Sequence, residues 1–176
     1  MSLVKPDKSA AARIGLGGGC HWCTEAVFDG LRGVVRVEQG FIRASVPDDS
    51  WSEAIIVHFN PDMIPLETLI EVHLRTHAST SNHKMRGKYR SAVYAMEPGH
   101  IPHLKGILRE LQDDFEMPLV TRVLDFQGFK PSEDRFQNYH RKNAGGPFCT
   151  RYIDPKLDLL RRDYAELVDH GALTAT

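Results

Sequence analysis

Gly17-Gly18-Gly19-Cys20-His21-Trp22-Cys23, followed by Thr24-Glu25-Ala26-Val27-Phe28, reads as a tight glycine turn that feeds the first turn of a helix. Ahead of it, Arg13-Ile14-Gly15-Leu16 reads as a short strand. Behind it, Val27, Phe28 and Leu31 share one helical face before Gly33 stops the helix. A cysteine at a helix N-terminus meets unpaired N–H groups and the positive end of the helix dipole, so its thiolate is favoured. A second thiol three residues on, Cys23, is placed to capture what the first becomes on oxidation. The pattern points to sulfur chemistry.

Outward from this turn, strand and helix patterns mix without regular alternation. Val34 to Ile42 and Ala54 to Phe59 read as strands, with a turn at Pro47-Asp48-Asp49-Ser50 between them. Leu66 to Thr76 reads as a helix opened by Pro65. A polar, cationic loop from Ser79 to Gly87 leads into a strand over Arg90 to Met96. His103 to Glu116 carries an apolar stripe of Leu104, Ile107, Leu108, Leu111 and Phe115. A strand over Leu119 to Phe126 and helices over Ser132 to Lys142 and Lys156 to Val168 complete the pattern, the two helices split by a Gly-Pro loop that delivers Cys149. The irregular order favours an α+β fold over a doubly wound parallel sheet.

The chain has 176 residues with a net charge of −1, so it carries no electrostatic footprint for nucleic acid or an anionic membrane. Three cysteines, an odd number, argue for catalytic or redox thiols rather than a secreted disulfide framework. Residues 1–12 show no apolar signal core and read as a disordered N-terminus. Residues 13–170 read as a single catalytic domain and 171–176 as a tail, in a cytoplasmic protein with no membrane partner.

Three chemistries compete for the Cys20-x-x-Cys23 pair: a thioredoxin-like dithiol, half of a zinc site, or a nucleophile with a resolving thiol. Zinc wants four ligands, and beyond this pair only Cys149 and scattered histidines such as His77, His83 and His140 are at hand. Glu53 stands where a polar turn enters an apolar strand, a place where a carboxyl is partly desolvated and able to donate a proton; a solvated turn glutamate is the competing reading. Tyr89, just after the cationic loop, is a candidate donor to a substrate oxygen or a half-buried edge tyrosine. Cys149, on its Gly-Pro loop, suits a resolving role as an accessible thiol. His21 and Trp22 are candidates to frame a small pocket.

Taken together, these segments resemble the A-type peptide methionine sulfoxide reductases, over about Gly17 to Tyr164. Gly18-Gly19-Cys20-His21-Trp22-Cys23 resembles the family's Gly-Cys-Phe-Trp signature, with His21 in place of Phe. Ser52-Glu53-Ala54 through Phe59-Asn60-Pro61, Tyr89-Arg90-Ser91-Ala92, and Phe129-Lys130-Pro131-Ser132-Glu133-Asp134 through Gln137-Asn138-Tyr139 to Lys142-Asn143 match further ordered blocks. Phe148-Cys149 lies where many members place a recycling cysteine.

The resemblance implies a two-layer α+β sandwich, with a central mixed or antiparallel sheet flanked by helices and a long C-terminal segment wrapped over it. It implies reduction of methionine S-sulfoxide, in oxidised proteins or peptides and as the free amino acid. Cys20, Glu53 and Tyr89 would be catalytic, Cys149 and Cys23 resolving, and His21 and Trp22 substrate-binding. No metal or cofactor is implied, only thioredoxin as external reductant. Relative to the family pattern, about ten residues are missing between Gly40 and Glu53, a region that normally supplies a further tyrosine; Trp51 occupies the corresponding stretch. The acidic residue usually found before the Tyr-Arg-Ser block is also absent, with His83 or Asn82 as possible substitutes. The alternatives are another thiol oxidoreductase, a redox sensor, or a degenerate paralogue using the same cysteines.

Overall fold

The computed structural model describes residues 12–168. β3 (Ser52–Phe59) lies inside a six-stranded sheet of order β5-β4-β1-β3-β2-β6. Its neighbours β1 (Ala12–Gly17) and β2 (Val34–Arg43) both pair with it antiparallel. β4 (Ala92–Ala95) runs antiparallel to β1, β5 (Arg122–Asp125) runs parallel to β4, and β6 (Gly128–Pro131) closes the far edge against β2. The sheet is therefore mixed, and the fold is α+β as the sequence pattern indicates.

Side chains of a strand alternate between faces, and β3 uses both. Ile55, Val57 and Phe59 join the main core with Ile14, Leu16 and Val93. Helices α1 (His21–Asp29), α2 (Leu66–Thr76), α3 (Ile101–Leu111) and α5 (Asp154–Asp163) add Val27, Phe28, Leu69, Ile70, Leu104, Ile107, Leu157 and Leu160 to the same cluster. Burying a residue such as Phe28 contributes roughly 1.5–3 kcal/mol relative to leaving it in water. On the opposite face Ala54 and Ile56 meet Ile42, Ala92 and Tyr94 in a smaller cluster, edged by Leu124, Phe126 and Phe129. This is the expected helical layer on a sheet, with the sheet's own residues covering its second face.

Several expected elements differ in extent. Ala12, read as part of the N-terminal tail, opens β1; residues 1–11 and the tail at 171–176 lie outside the described residues. The strand read over 90–96 is shortened to β4. The helix read over His103 to Glu116 starts at Ile101 and tightens into a 3₁₀ turn at Gln112–Asp114. The strand read over Leu119 to Phe126 is shortened to β5, and β6 beyond it was not foreseen. The helix read over Ser132 to Lys142 is instead a 3₁₀ turn at Asp134–Phe136 and the short α4 (Tyr139–Asn143). Between them Asn138 takes a left-handed conformation, φ 55°, which no continuous helix admits. The last helix is α5, starting two residues earlier than read and ending at Asp163, and Val168 forms an antiparallel bridge with Leu31 instead.

Candidate active site

Gly18, Gly19 and Cys20 are all that separates β1 from α1, so Cys20 arrives directly above the first residues of β3. The register explains what it meets: Gly17 pairs with Ala54, Ala54 with Gly40, and Glu53 with Phe41. Glu53 has the parity of Ile55 and Val57, so its carboxyl faces the helical layer.

Cys20 is the N-cap of α1, and its carbonyl accepts the N–H groups of Cys23 at 3.1 Å and Thr24 at 3.2 Å. The half-buried thiol is shifted toward the thiolate, first by a hydrogen bond from the Cys23 thiol and then by the N–H groups of Trp22 and Cys23. Burial and the Glu53 charge act against this, and the net shift is downward. The Cys23 thiol is pushed up, by its hydrogen bond to Cys20 and by burial. Cys149 is pushed up by burial and then by the charge of Asp154. All three are free thiols.

Cys149 differs from its expected setting. It is wholly buried at the start of a π-helical turn, Cys149–Ile153, that runs straight into α5. It joins the main core with Cys23 and Ile153 rather than standing on an accessible loop. The Lys156 ammonium, held by the carbonyl of Thr76, lies in the field of both Cys23 and Cys20.

Glu53 is 6% exposed. One carboxyl oxygen, Oε1, accepts the backbone N–H of His21 at 3.2 Å and stands 3.4 Å from His21 Nε2. The other, Oε2, is 3.6 Å from Lys88 Nζ. The backbone behind it is fixed by Glu53 N–H and Ser52 Oγ, which both donate to the carbonyl of Lys88 at 3.0 Å. Tyr89 reaches this carboxyl through Lys88, whose ammonium hydrogen-bonds to Tyr89, stands 5.1 Å from its ring centroid, and is raised first by Tyr89 and then by Glu53.

His21 is buried, and its Nδ1–H donates to the carbonyl of Gly40 at 2.6 Å. Burial is the main reason that its imidazole is held below its ordinary value. Trp22 is packed by three rings of the C-terminal segment: Tyr139 flat at 4.1 Å, Phe136 stacked at 5.3 Å and Phe148 edge-on at 5.2 Å. Trp51 is not part of this constellation; it is 43% exposed and carries the Arg43 guanidinium 5.6 Å from its ring centroid. His83 caps the turn at Lys84–Gly87 through its contact with Met85 N–H, and Asn82 is exposed.

A second set of residues, missed in the sequence reading, holds the glycine turn. His73 Nε2–H donates to the carbonyl of Gly17 at 2.8 Å. The His77 ring backs Gly18 so closely that a Cβ there would fall 2.4 Å from its Cδ2, which explains a glycine at that position. Arg86 donates to the carbonyls of Gly18 and Tyr89, each at 2.9 Å, and so ties the turn to the loop that carries Lys88. Glu25, also missed, accepts the N–H groups of Asn138 and Tyr139 at 3.1 Å and the Gln39 amide at 3.1 Å, pinning the C-terminal segment to α1. The signal available for the first set was a pair of histidines four apart at the end of α2, His73 in its last turn and His77 just past it. Nothing local marks Glu25, whose backbone partners in the C-terminal segment lie 113 and 114 residues away. Among the described residues no group of three or more His, Cys, Asp or Glu side chains converges as a metal site, and no helix is long and apolar enough to cross a membrane.

The family model of peptide methionine sulfoxide reductases matches residues 12–167, the whole of this architecture. The chain belongs to that family. The reductase is 33% identical over 165 residues to the peptide methionine sulfoxide reductase MsrA of Deinococcus radiodurans, covering 85% of this chain and 80% of that one. Mxr1 from Saccharomyces cerevisiae in its reduced form superposes with a TM-score of 0.67 at 25% identity, over 82% of this chain and 92% of that one. A crystal structure of Mxr1 in complex with Trx2 superposes with a TM-score of 0.58 at 23% identity, over 78% and 90% of the two chains. The fold and the family read from the sequence are thus both met.

Proposed function

We propose that the reductase acts on the S-epimer of methionine sulfoxide, in oxidised proteins or peptides and as the free amino acid, with Cys20 as nucleophile and Glu53 as acid. The observation that carries this is the Glu53 carboxyl accepting the N–H of His21, the residue next to Cys20, at 3.2 Å. A sulfoxide oxygen placed between the two would meet the sulfur on one side and the proton donor on the other.

The Cys20 thiolate attacks the sulfoxide sulfur, and the oxygen takes a proton from Glu53. Two electrons pass to the substrate, methionine leaves, and Cys20 is left as a sulfenic acid. Tyr89 supports the oxygen site through Lys88, and His21 and Trp22 flank the methyl group. The Cys23 thiol, already hydrogen-bonded to Cys20, attacks the sulfenic acid and releases water. Cys149 then receives the disulfide from Cys20–Cys23 by exchange with Cys23, which frees Cys20. Thioredoxin reduces the final bond, the role suggested by the Mxr1 complex with Trx2. No resident cofactor takes part, and the cytoplasm, where thiols stay reduced, suits this cycle.

The test is incubation with each epimer separately under a thiol reductant. The S-epimer is consumed, the R-epimer persists, and Cys20→Ser consumes neither. Turnover by Cys20→Ser would overturn the reading.

A further inference from the structure

His21 occupies the place of an apolar ring in the sequence signature, and its hydrogen-bond pattern leaves little freedom about where its proton lies. A carbonyl only accepts, so the 2.6 Å contact with Gly40 requires a proton on Nδ1. In the neutral ring the lone pair is then on Nε2, and that atom stands 3.4 Å from Glu53 Oε1. A carboxylate oxygen facing an imidazole lone pair is a meeting of two acceptors, unfavourable in a buried place until one proton lies between them. Both residues are 6% exposed.

We propose that His21 and Glu53 hold one proton jointly, and that this is the proton delivered to the sulfoxide oxygen. His21 acts through Glu53 and is therefore a positioning residue. The groups around the pair are the Gly40 carbonyl and Phe41 ring on β2, Glu53 on β3, the Lys88 ammonium from the loop before β4, and Cys20 and Trp22 on its own segment. The step balances: sulfoxide, Cys20 thiolate and the shared proton give methionine and the Cys20 sulfenic acid, with substrate sulfur reduced and Cys20 oxidised. Afterwards the Glu53 carboxylate again faces the Nε2 lone pair, held by the backbone N–H of His21 and by Lys88, until the pair is recharged from solvent. Burial opposes an imidazolium at His21.

This inference rests on the functional reading above, so its tests are chosen to separate the two. The first is the single-turnover rate of S-epimer reduction between pH 5 and 9, for the wild-type chain, His21→Phe and His21→Gln, with iodoacetamide alkylation of Cys20 followed in parallel to fix the thiolate limb. With each profile normalised to its own value at pH 5, the high-pH fall of the rate is expected to begin at least one pH unit lower in both variants. Gln retains a polar contact but carries no titratable proton, so a wild-type profile in His21→Gln, or a uniform drop at all pH values in both variants, would overturn the proposal. The second test needs no turnover: an NMR titration of the His21 ring in wild type and Glu53→Gln. A displaced titration and an Nδ1–H tautomer support the shared proton, whereas identical curves or an Nε2–H tautomer overturn it. Failure of the wild-type chain to reduce the S-epimer would overturn the functional reading, and with it the delivery of this proton, while the NMR result still decides whether the pair shares one.

Discussion

Tyr139 lies flat on Trp22, with ring centroids 4.1 Å apart and planes within 6° of parallel. Its backbone N–H is held by Glu25, so one residue of the C-terminal segment is fixed to the helix of the nucleophile at both its main chain and its ring. Tyr139→Phe should keep the stack and leave kcat/KM within about twofold. Tyr139→Ala removes an aromatic pair worth about 0.5–1.5 kcal/mol beyond its buried area and uncovers Trp22. A red-shifted Trp22 emission and a raised KM are expected, and unchanged emission would show that the ring does not shelter the indole. The comparison is made in a Trp51→Phe background to isolate the signal.

Glu53→Gln preserves shape and removes the acid. General acid catalysis is worth roughly 10²–10⁴-fold, so the single-turnover rate should fall by about that factor while Cys20 alkylation persists. A loss confined to KM would assign Glu53 to binding alone.

The Cys23 thiol is the largest influence lowering Cys20. In Cys23→Ala the alkylation limb of Cys20 should therefore move to higher pH, and Cys23→Ser, which restores a donor, should recover part of the shift. In the native chain Cys20 should be alkylated first, with Cys23 and Cys149 protected by burial and by their raised values. Equal reactivity of the three thiols would contradict this ordering.

Burial lowers His73 from 6.5 to about 4. The unfolded chain therefore binds the extra proton first as pH falls. Stability from this site is complete above about pH 6.5 and is lost progressively toward pH 4, at about 1.4 kcal/mol per pH unit. From pH 7 to pH 5 the loss is about 2 kcal/mol, and His77, also held well below 6.5 by burial, acts with the same sign. Urea midpoints at the two pH values measure it. His73→Gln, which keeps a donor toward Gly17, should flatten the dependence, and an unchanged slope would remove His73 as its cause.

Arg86→Ala releases the carbonyls of Gly18 and Tyr89 together. Hydrogen bonds from charged donors contribute roughly 1.5–3 kcal/mol each, and here they also set the glycine turn against the Lys88 loop. The variant should fold with a lower urea midpoint and lose more kcat than KM. Full activity would show that the turn holds its shape unaided.

What was legible in the sequence follows from what each segment depends on. α2 was read at its observed limits, because Pro65, an amphipathic stripe and the break at His77 are local signals. Cys20 and its helix were legible for the same reason. The region from Ser132 to Cys149 was not: the left-handed Asn138 and the short α4 are dictated by Glu25, a distant residue whose importance no pattern declares. β6 is four residues with a glycine and a proline, held only by its register on β2. Glu53 stood out as a carboxyl entering an apolar strand, but its meeting with His21 comes from strand register and a three-residue connection.

Cys149 is shut inside the core of the reduced chain. On the proposed cycle, a bond to it would be reached by an outside protein once the turn at Cys149–Ile153 came away from its packing. The partner that restores the thiols would thus dock on a surface that exists only in spent molecules. Fresh ones would be ignored, and reducing power would flow to those that have just completed a repair.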